Sequence, residues 1–181
     1  MNQDYERYPE DAIRMNFTTN HDENSWNGTV FERFGDGHQA YAVLAFTIQG
    51  MPLLYSGQEA GLDKRLAFFE KDTIDWSAIP YQDFYASLVN LKKSNPALYN
   101  GSYGSRANFI STENSNVIAY EREKEGNKVS VLINLSGEDQ EVSLPEGSTF
   151  SDVFSDNEVG IITTSLAPFQ YFVGINNTTN E

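Results

Sequence analysis

The sequence contains no cysteine, no cluster of basic residues and no long apolar run. The absence of cysteine excludes a disulfide scaffold and a thiolate metal site, while it leaves the cellular compartment open. The chain has 12 basic and 26 acidic residues and a formal net charge of −14. That charge argues against nucleic acids and anionic membrane surfaces as partners, since both require a basic footprint. No run approaches the ~20 apolar residues of a membrane span.

The first part of the chain alternates strand-like and helix-like patterns. An acidic segment over 3–12 is compatible with a helix. The next predicted elements, in chain order, are a strand over 15–19, a polar loop over 20–37, a helix over 38–48, a strand over 53–55 and a helix over 84–94. Asp83 is predicted as the N-cap of the last helix, and Asn95-Pro96 as its end. This repetition is typical of parallel strands with helical crossovers.

After Pro96 the pattern changes to short β-rich segments, with turn signals about every eight to twelve residues. These segments cover 107–111, 116–122, 128–134, 140–144, 149–154, 160–166 and 170–173. A hairpin turn containing Gly126 is predicted over 123–127. We therefore place a domain boundary near residue 96, between residues 1–96 and an antiparallel β-sandwich over 97–181.

Two polar clusters follow the two predicted strands of the first part. Asn20, His21, Asp22 and Trp26 lie within seven residues, and the second cluster is Ser-Gly-Gln-Glu over 56–59. In parallel α/β folds, ligand sites gather at the carboxyl ends of the strands. A carboxylate there can stabilise positive charge that develops at a reacting carbon. A neighbouring His can bind substrate hydroxyls, and a Trp can stack on a sugar ring.

Simpler interpretations of these residues remain open. The cluster after the first strand is compatible with a solvated loop, because Asn, Asp and Ser favour turns in any case. A single His with loosely spaced carboxylates is weak support for a metal site. Trp26 and Trp76 are compatible with ordinary packing, and Gln58-Glu59 with a capped loop.

Two motifs resemble the α-amylase family, glycoside hydrolase family 13. Residues 17–22, Phe-Thr-Thr-Asn-His-Asp, resemble the motif at strand seven of that family's barrel. Residues 50–59, Gly-Met-Pro-Leu-Leu-Tyr-Ser-Gly-Gln-Glu, resemble its strand-eight motif. The β-rich part is similar to the family's C-terminal domain. The resemblance implies an α/β region followed by an all-β region: about the last two βα units of a partial TIM barrel over 1–96, and an antiparallel β-sandwich over 97–181.

The resemblance also implies roles for residues of both motifs. Asp22 corresponds to the catalytic carboxylate that stabilises the transition state. His21 is expected to hydrogen-bond the sugar at the cleavage point, and Asn20 to support the loop. Gly57 and Glu59 are expected to support the strand-eight turn.

Trp26 is close enough in sequence to serve a neighbouring sugar subsite, although the family motif does not extend to it. Calcium is common in the family, and its ligands are expected in the part of a longer protein that this sequence lacks. We therefore assign no cofactor and no metal ligand to this chain.

The other two catalytic carboxylates of the family precede the strand-seven motif, and retaining hydrolysis requires both. Only about twenty residues precede Asp22, fewer than the ~30 residues of one βα unit. We therefore predict a C-terminal fragment of a hydrolase of α-glucans, such as starch, glycogen or maltooligosaccharides, that is inactive alone. The missing N-terminal barrel portion is a predicted partner. Without it, residues 1–96 are expected either to self-associate through exposed barrel strands or to be partly disordered.

Two alternative functions come from other classes. The chain could be a non-catalytic module that binds carbohydrate or packs against a partner, or a structural all-β adhesion domain. The sequence leaves glucan linkage, transglycosylation and localisation open.

Overall fold

The computed structural model describes residues 7–9, 11–143, 149–155, 158–160 and 163–177. Residues 3–6 and 10 of the predicted helix over 3–12 lie outside the described residues, and residues 7–9 and 11–12 are not helical. Within the described residues the α-helices are α1 (Val30–Phe34), α2 (His38–Thr47) and α3 (Gln82–Ser94). A π-helical turn covers Glu23–Asn27, and 3₁₀ turns cover Gly35–Gly37, Pro96–Leu98 and Gly101–Tyr103. No helix in the described part of the chain is long and apolar enough to cross a bilayer.

Two short parallel strands, β1 (Met15–Asn16) and β2 (Met51–Pro52), form the first sheet. The prediction of a strand over 15–19 was too long, and the prediction over 53–55 was placed too late. Both strands end early because side chains form hydrogen bonds with the backbone groups that follow them. The Thr18 carbonyl accepts a hydrogen bond from Arg33 at 3.0 Å, and the Tyr55 amide donates to Gln58 Oε1 at 2.8 Å.

The predicted helices are close to the observed ones. Helix α2 agrees with the prediction over 38–48, except that Ile48 lies just beyond its end. Helix α3 begins at Gln82, so the assignment of Asp83 as N-cap was wrong. Tyr81 occupies that position, and Asp83 lies in the first turn, where negative charge complements the helix dipole. The end before Pro96 is confirmed.

Most of the remaining chain is antiparallel sheet. The strands are β3 (Asn108–Ile110), β4 (Val117–Lys124), β5 (Asn127–Asn134), β6 (Gln140–Ser143), β7 (Thr149–Asp152), β8 (Glu158–Gly160), β9 (Thr163–Leu166) and β10 (Tyr171–Asn177). Six of them form one sheet in the order β3-β4-β5-β10-β7-β8, and β6 pairs with β9 separately.

The β4–β5 hairpin is confirmed, with its turn at Glu125 and Gly126. Both residues have positive φ, 54° and 78°, as a tight hairpin turn requires. The single segment predicted over 160–166 was wrong, because it contains the end of β8 and all of β9, which belong to different sheets. Residues 161–162 between them lie outside the described part of the chain.

The six-stranded sheet is covered on both faces, because alternate residues of a strand point to opposite sides. One face packs against α2 and α3 through a buried cluster that includes Val43, Leu88, Tyr120, Val129, Val131, Ile133 and Val173. The other face packs against the β6–β9 pair through Val117, Ala119, Leu132, Val142 and Leu166. The larger cluster therefore contains residues from both sides of position 96. The division of the chain there stays a prediction.

A polar contact also joins α2 to the sheet. The Arg122 side chain is 1% exposed and donates to the carbonyl oxygens of Thr47 at 3.0 Å and Ser105 at 2.9 Å. It also donates to the carbonyl of Tyr99 at 3.2 Å. Tyr120 shares a hydrogen bond of 2.6 Å with the Thr47 hydroxyl. These contacts fix the position of the helix that connects β1 to β2.

Candidate functional site

The first polar cluster follows β1 and lies in a turn that begins at Asn20. Its side-chain Oδ1 accepts a hydrogen bond from the Glu23 amide at 2.8 Å, and its carbonyl accepts one from the Asn24 amide at 2.9 Å. Asn20 is therefore used to start the turn that carries His21 and Asp22.

His21 and Asp22 present their side chains to solvent. The His21 Nε2 lies 3.6 Å from the Asp22 Oδ2, and the two side chains are 67% and 58% exposed. Asp22 precedes the π-helical turn Glu23–Asn27, but its side chain makes no capping hydrogen bond there. The carboxylate is thus open to a ligand rather than used to cap the turn.

The second polar cluster contacts the first through Gln58, which is 6% exposed. Its Nε2 donates to the Thr18 hydroxyl at 3.0 Å and to the Tyr85 hydroxyl at 2.9 Å. Its Oε1 accepts from the Tyr55 amide. Gln58 therefore joins the segment after β1, the segment after β2 and helix α3 in one buried network.

Gly57 and Glu59 flank this glutamine. Gly57 has φ +97°, and a Cβ there would lie 2.9 Å from the Cβ of Leu62, so a larger residue would strain the turn. One carboxylate oxygen of Glu59 is buried without a hydrogen-bond partner among the described residues. Burial raises the pKa of Tyr85 to about 12, and the negative charge of Glu59 adds to this rise, while the hydrogen bond from Gln58 opposes it.

Asn24 binds the loop over 64–66 to the π-helical turn. This residue is 2% exposed, its Nδ2 donates to the Lys64 carbonyl at 3.1 Å, and its Oδ1 accepts from the Leu66 amide at 2.8 Å. Ser25 donates to the Leu66 carbonyl at 2.8 Å. These hydrogen bonds join the π-helical turn to the loop over 64–66, and the strands before the two segments pair over only two residues each.

Helix α1 adds ionic contacts to this arrangement. Thr29 and Glu32 form a capping box, and the Thr29 hydroxyl donates to Asp63 at 2.7 Å. Arg65 binds both carboxylate oxygens of Glu32, at 2.8 and 3.1 Å. The hydrogen bond from Arg65 lowers the pKa of Glu32. Because this ion pair is exposed, it adds little to stability, and its main effect is to orient the Arg65 loop against α1.

Trp26 belongs to an exposed aromatic group. Its ring lies 5.2 Å from that of Phe68 and 6.2 Å from that of Phe69. The His21 ring stacks on Phe68 at 5.8 Å. Phe68 and Phe69 were not predicted as site residues from the sequence, although two adjacent aromatic residues in a polar loop are a usable signal.

No three or more His, Cys, Asp or Glu side chains come together to hold a metal ion among the residues that the structure describes. Glu23, the carboxylate nearest in sequence to Asp22, has another partner. Glu23 pairs with Arg33 at 3.1 Å. The expectation of calcium in a longer protein stays a prediction, and no ligand is assigned in this chain.

Comparison with known proteins identifies the family. Residues 107–173 match the family model described as Maltogenic Amylase, C-terminal domain. Alpha-amylase 2 of Dictyoglomus thermophilum is 31% identical over 166 residues, which is 84% of this chain and 27% of that protein. The chain belongs to the α-amylase family. Alpha-amylase MalA of Haloarcula japonica is 30% identical over 152 residues, 82% of this chain and 22% of that protein. The chain thus spans about a quarter of the length of these α-amylase relatives.

Solved structures of α-amylases have the same fold over nearly the whole chain. An α-amylase from Lactobacillus plantarum matches with a TM-score of 0.72 and 17% identity, over 97% of this chain and 41% of its own. The maltogenic α-amylase AmyB from Thermotoga neapolitana matches with a TM-score of 0.71 and 20% identity, over 97% and 41%. At these identities the matches show the fold alone. The family model and the two α-amylase relatives confirm the resemblance to the α-amylase family seen in the sequence.

Proposed function

We propose that this chain is the C-terminal part of an α-glucan hydrolase and that Asp22 is its transition-state-stabilising carboxylate. The observation that carries this proposal is the state of Asp22. It lies six residues after the parallel strand β1, is 58% exposed, is adjacent to His21, and takes no part in capping the turn that follows it. A carboxylate left open at this position is suited to a ligand that develops positive charge.

In this mechanism Asp22 acts while the glycosidic bond is cleaved. The anomeric carbon gains positive charge as the leaving oxygen takes a proton from the general acid, and a second carboxylate attacks that carbon. The negative charge of Asp22 stabilises the charged ring, and His21 hydrogen-bonds a hydroxyl of the same sugar. Asn20 holds both residues in place through its bond to the Glu23 amide. The acid and the nucleophile are supplied by the preceding part of a longer chain.

Residues 1–96 then form about the last two βα units of a (β/α)₈ barrel, and residues 97–181 form the antiparallel β-sandwich behind it. Two observations support this proposal. Strands β1 and β2 are parallel and are connected through α1 and α2. Among the described residues, β2 is the only strand that pairs with β1.

A groove of about 680 Å³ runs beside β1 and helix α2. It is lined in part by Met15, Phe17, Leu44 and Ile48, and Met15 and Phe17 remain 49% and 40% exposed. The preceding barrel portion is the occupant that we propose for this groove, because the relatives are about four times as long as the matched region. Self-association through this edge is expected when that portion is absent.

The test compares Asp22→Asn with Asp139→Asn in a longer protein that includes the preceding barrel portion. Asp139 is an exposed aspartate in a turn far along the chain, and it serves as the matched control. Hydrolysis of a chromogenic maltooligosaccharide is expected to fall about 10²–10³-fold with Asp22→Asn and to stay unchanged with Asp139→Asn.

The 181-residue chain, confirmed as folded by circular dichroism, is expected to show no turnover alone. Full activity of the Asp22→Asn protein would contradict the proposed role of Asp22. Turnover by the chain alone would show that its own residues supply the acid and the nucleophile.

A further inference from the structure

We propose that Trp26, Phe68 and Phe69 form an aromatic platform that binds a further glucose ring of the α-glucan chain, next to the ring held by Asp22. The inference rests on the proposed function for its ligand class. It assigns substrate binding to Phe68 and Phe69, which lie 46 and 47 residues beyond Asp22.

The platform is apolar surface that the fold leaves uncovered. Trp26 is 57% exposed, Phe68 38% and Phe69 85%. The Phe68 and Phe69 rings contact each other edge to face, with centroids 4.8 Å apart, and both contact Trp26. Three exposed aromatic rings in contact are costly to leave in water, which indicates a partner.

The loop that carries Phe68 and Phe69 is held at both ends. Asn24 and Ser25 bind the backbone of Lys64 and Leu66 before the two rings. After them, the Asp72 carboxylate accepts hydrogen bonds from the amides of Ala67 at 3.0 Å and Thr73 at 2.7 Å.

Asp72 also accepts a hydrogen bond from the Lys64 ammonium. The rings are therefore held in place before any ligand arrives, which lowers the entropic cost of binding.

The platform is continuous with the proposed catalytic residue. Phe68 stacks on His21, whose Nε2 lies 3.6 Å from the Asp22 carboxylate. A chain of sugar rings that places one ring at Asp22 and crosses His21 therefore meets Phe68 next.

The C–H groups on one face of a glucose ring pack well on the electron-rich face of an aromatic ring. Glucose is also neutral, so a chain with a net charge of −14 does not repel it. These properties favour a glucan as the occupant of the platform.

The test uses tryptophan as the reporter in the ¹⁵N-labelled chain. The sequence has 2 tryptophans, so the spectrum contains two indole N–H resonances, and Trp76→Phe assigns that of Trp26. Titration with millimolar maltoheptaose is expected to shift the Trp26 resonance to saturation and to leave that of Trp76 in place. Phe69→Ala is expected to weaken this binding about tenfold, while Phe69→Tyr retains it.

Tyr103→Ala is the matched control, because Tyr103 is a 77% exposed aromatic residue outside the platform. It is expected to leave maltoheptaose binding unchanged. A Trp26 resonance that does not move, or a shift that Phe69→Ala does not weaken, would overturn the proposal.

A second measurement is made in the longer protein. There Phe69→Ala is expected to raise the KM for maltoheptaose about tenfold with little change in kcat. An unchanged KM would mean that the preceding part of the chain covers the platform, and would also overturn the proposal.

The two proposals fail separately. If Asp22→Asn leaves hydrolysis intact while the Trp26 resonance still responds to maltoheptaose, the role of Asp22 falls and the platform stands. If Asp22→Asn abolishes hydrolysis while Phe69→Ala changes neither binding nor KM, the platform falls and the role of Asp22 stands.

Discussion

Replacing Gln58 with leucine tests how the loops of the candidate site are joined. The side chain is 6% exposed and makes three hydrogen bonds, to the Thr18 hydroxyl, the Tyr85 hydroxyl and the Tyr55 amide. Leucine has a similar volume but no polar atom. The substitution therefore removes all three bonds without opening a large cavity.

The expected loss of stability follows from the partners that remain. Each hydrogen bond contributes about 1 kcal/mol net, and a buried partner left without a bond costs about 1–3 kcal/mol. Thr18 and Tyr85 are themselves 6% and 4% exposed, so water does not readily replace the glutamine. We expect the free energy of unfolding of Gln58→Leu to fall by about 3–4 kcal/mol.

Denaturant titration followed by circular dichroism measures this loss. Gln82→Leu is the matched control, because Gln82 is exposed at the start of α3, and its replacement is expected to change the free energy of unfolding by less than about 0.5 kcal/mol. A cycle with Tyr85→Phe should give a coupling of about 1 kcal/mol between Gln58 and Tyr85. A Gln58→Leu protein as stable as the control would refute the reasoning.

Two further substitutions test Lys92, a partly buried cation of α3, and Arg122, a buried cation of β4. Burial, aided by the charge of Arg122, lowers the pKa of Lys92 from 10.5 to about 8. Between pH 8 and 10.5 the unfolded chain binds more protons than the folded one, so Lys92 makes the free energy of unfolding rise with pH. Lys92→Met should remove this rise in denaturant titrations across the same pH range. Arg122→Leu removes the donor to three carbonyl groups and should cost about 3–5 kcal/mol. In the same titrations the exposed Arg65→Leu should cost far less stability than Arg122→Leu, and an equal loss would contradict the role of Arg122.

Much of the fold could be predicted because its signals are local. The apolar run of α2 ends at Gly50 and Pro52, and Gly126 marks the β4–β5 turn, so both elements were placed correctly. The bounds of β1 and β2 were wrong because side chains outside the strands bond the backbone that follows each strand, as Gln58 does with the Tyr55 amide. Arg33 takes the carbonyl of Thr18, which alternation of residue types along the strand does not reveal.

The candidate site shows the same limit. The motif of Asn20, His21 and Asp22 is contiguous, so sequence alone selected it, and the catalytic role of Asp22 stays a prediction. Gln58 received no predicted role in the site, because its partners Thr18 and Tyr85 are 40 and 27 residues away. The structural role of Asn24 was likewise not predictable, because its partners Lys64 and Leu66 are about forty residues away.

The candidate site is stabilised mainly by hydrogen bonds between its loops. Strands β1 and β2 contribute only two paired residues each, which is too little pairing to fix loops of this length. The buried side chains of Asn24 and Gln58 hold the loops instead, each with more than one hydrogen bond. Substitutions at these two positions should therefore disturb the geometry around Asp22 more than substitutions at the exposed strand residues Met15 and Met51.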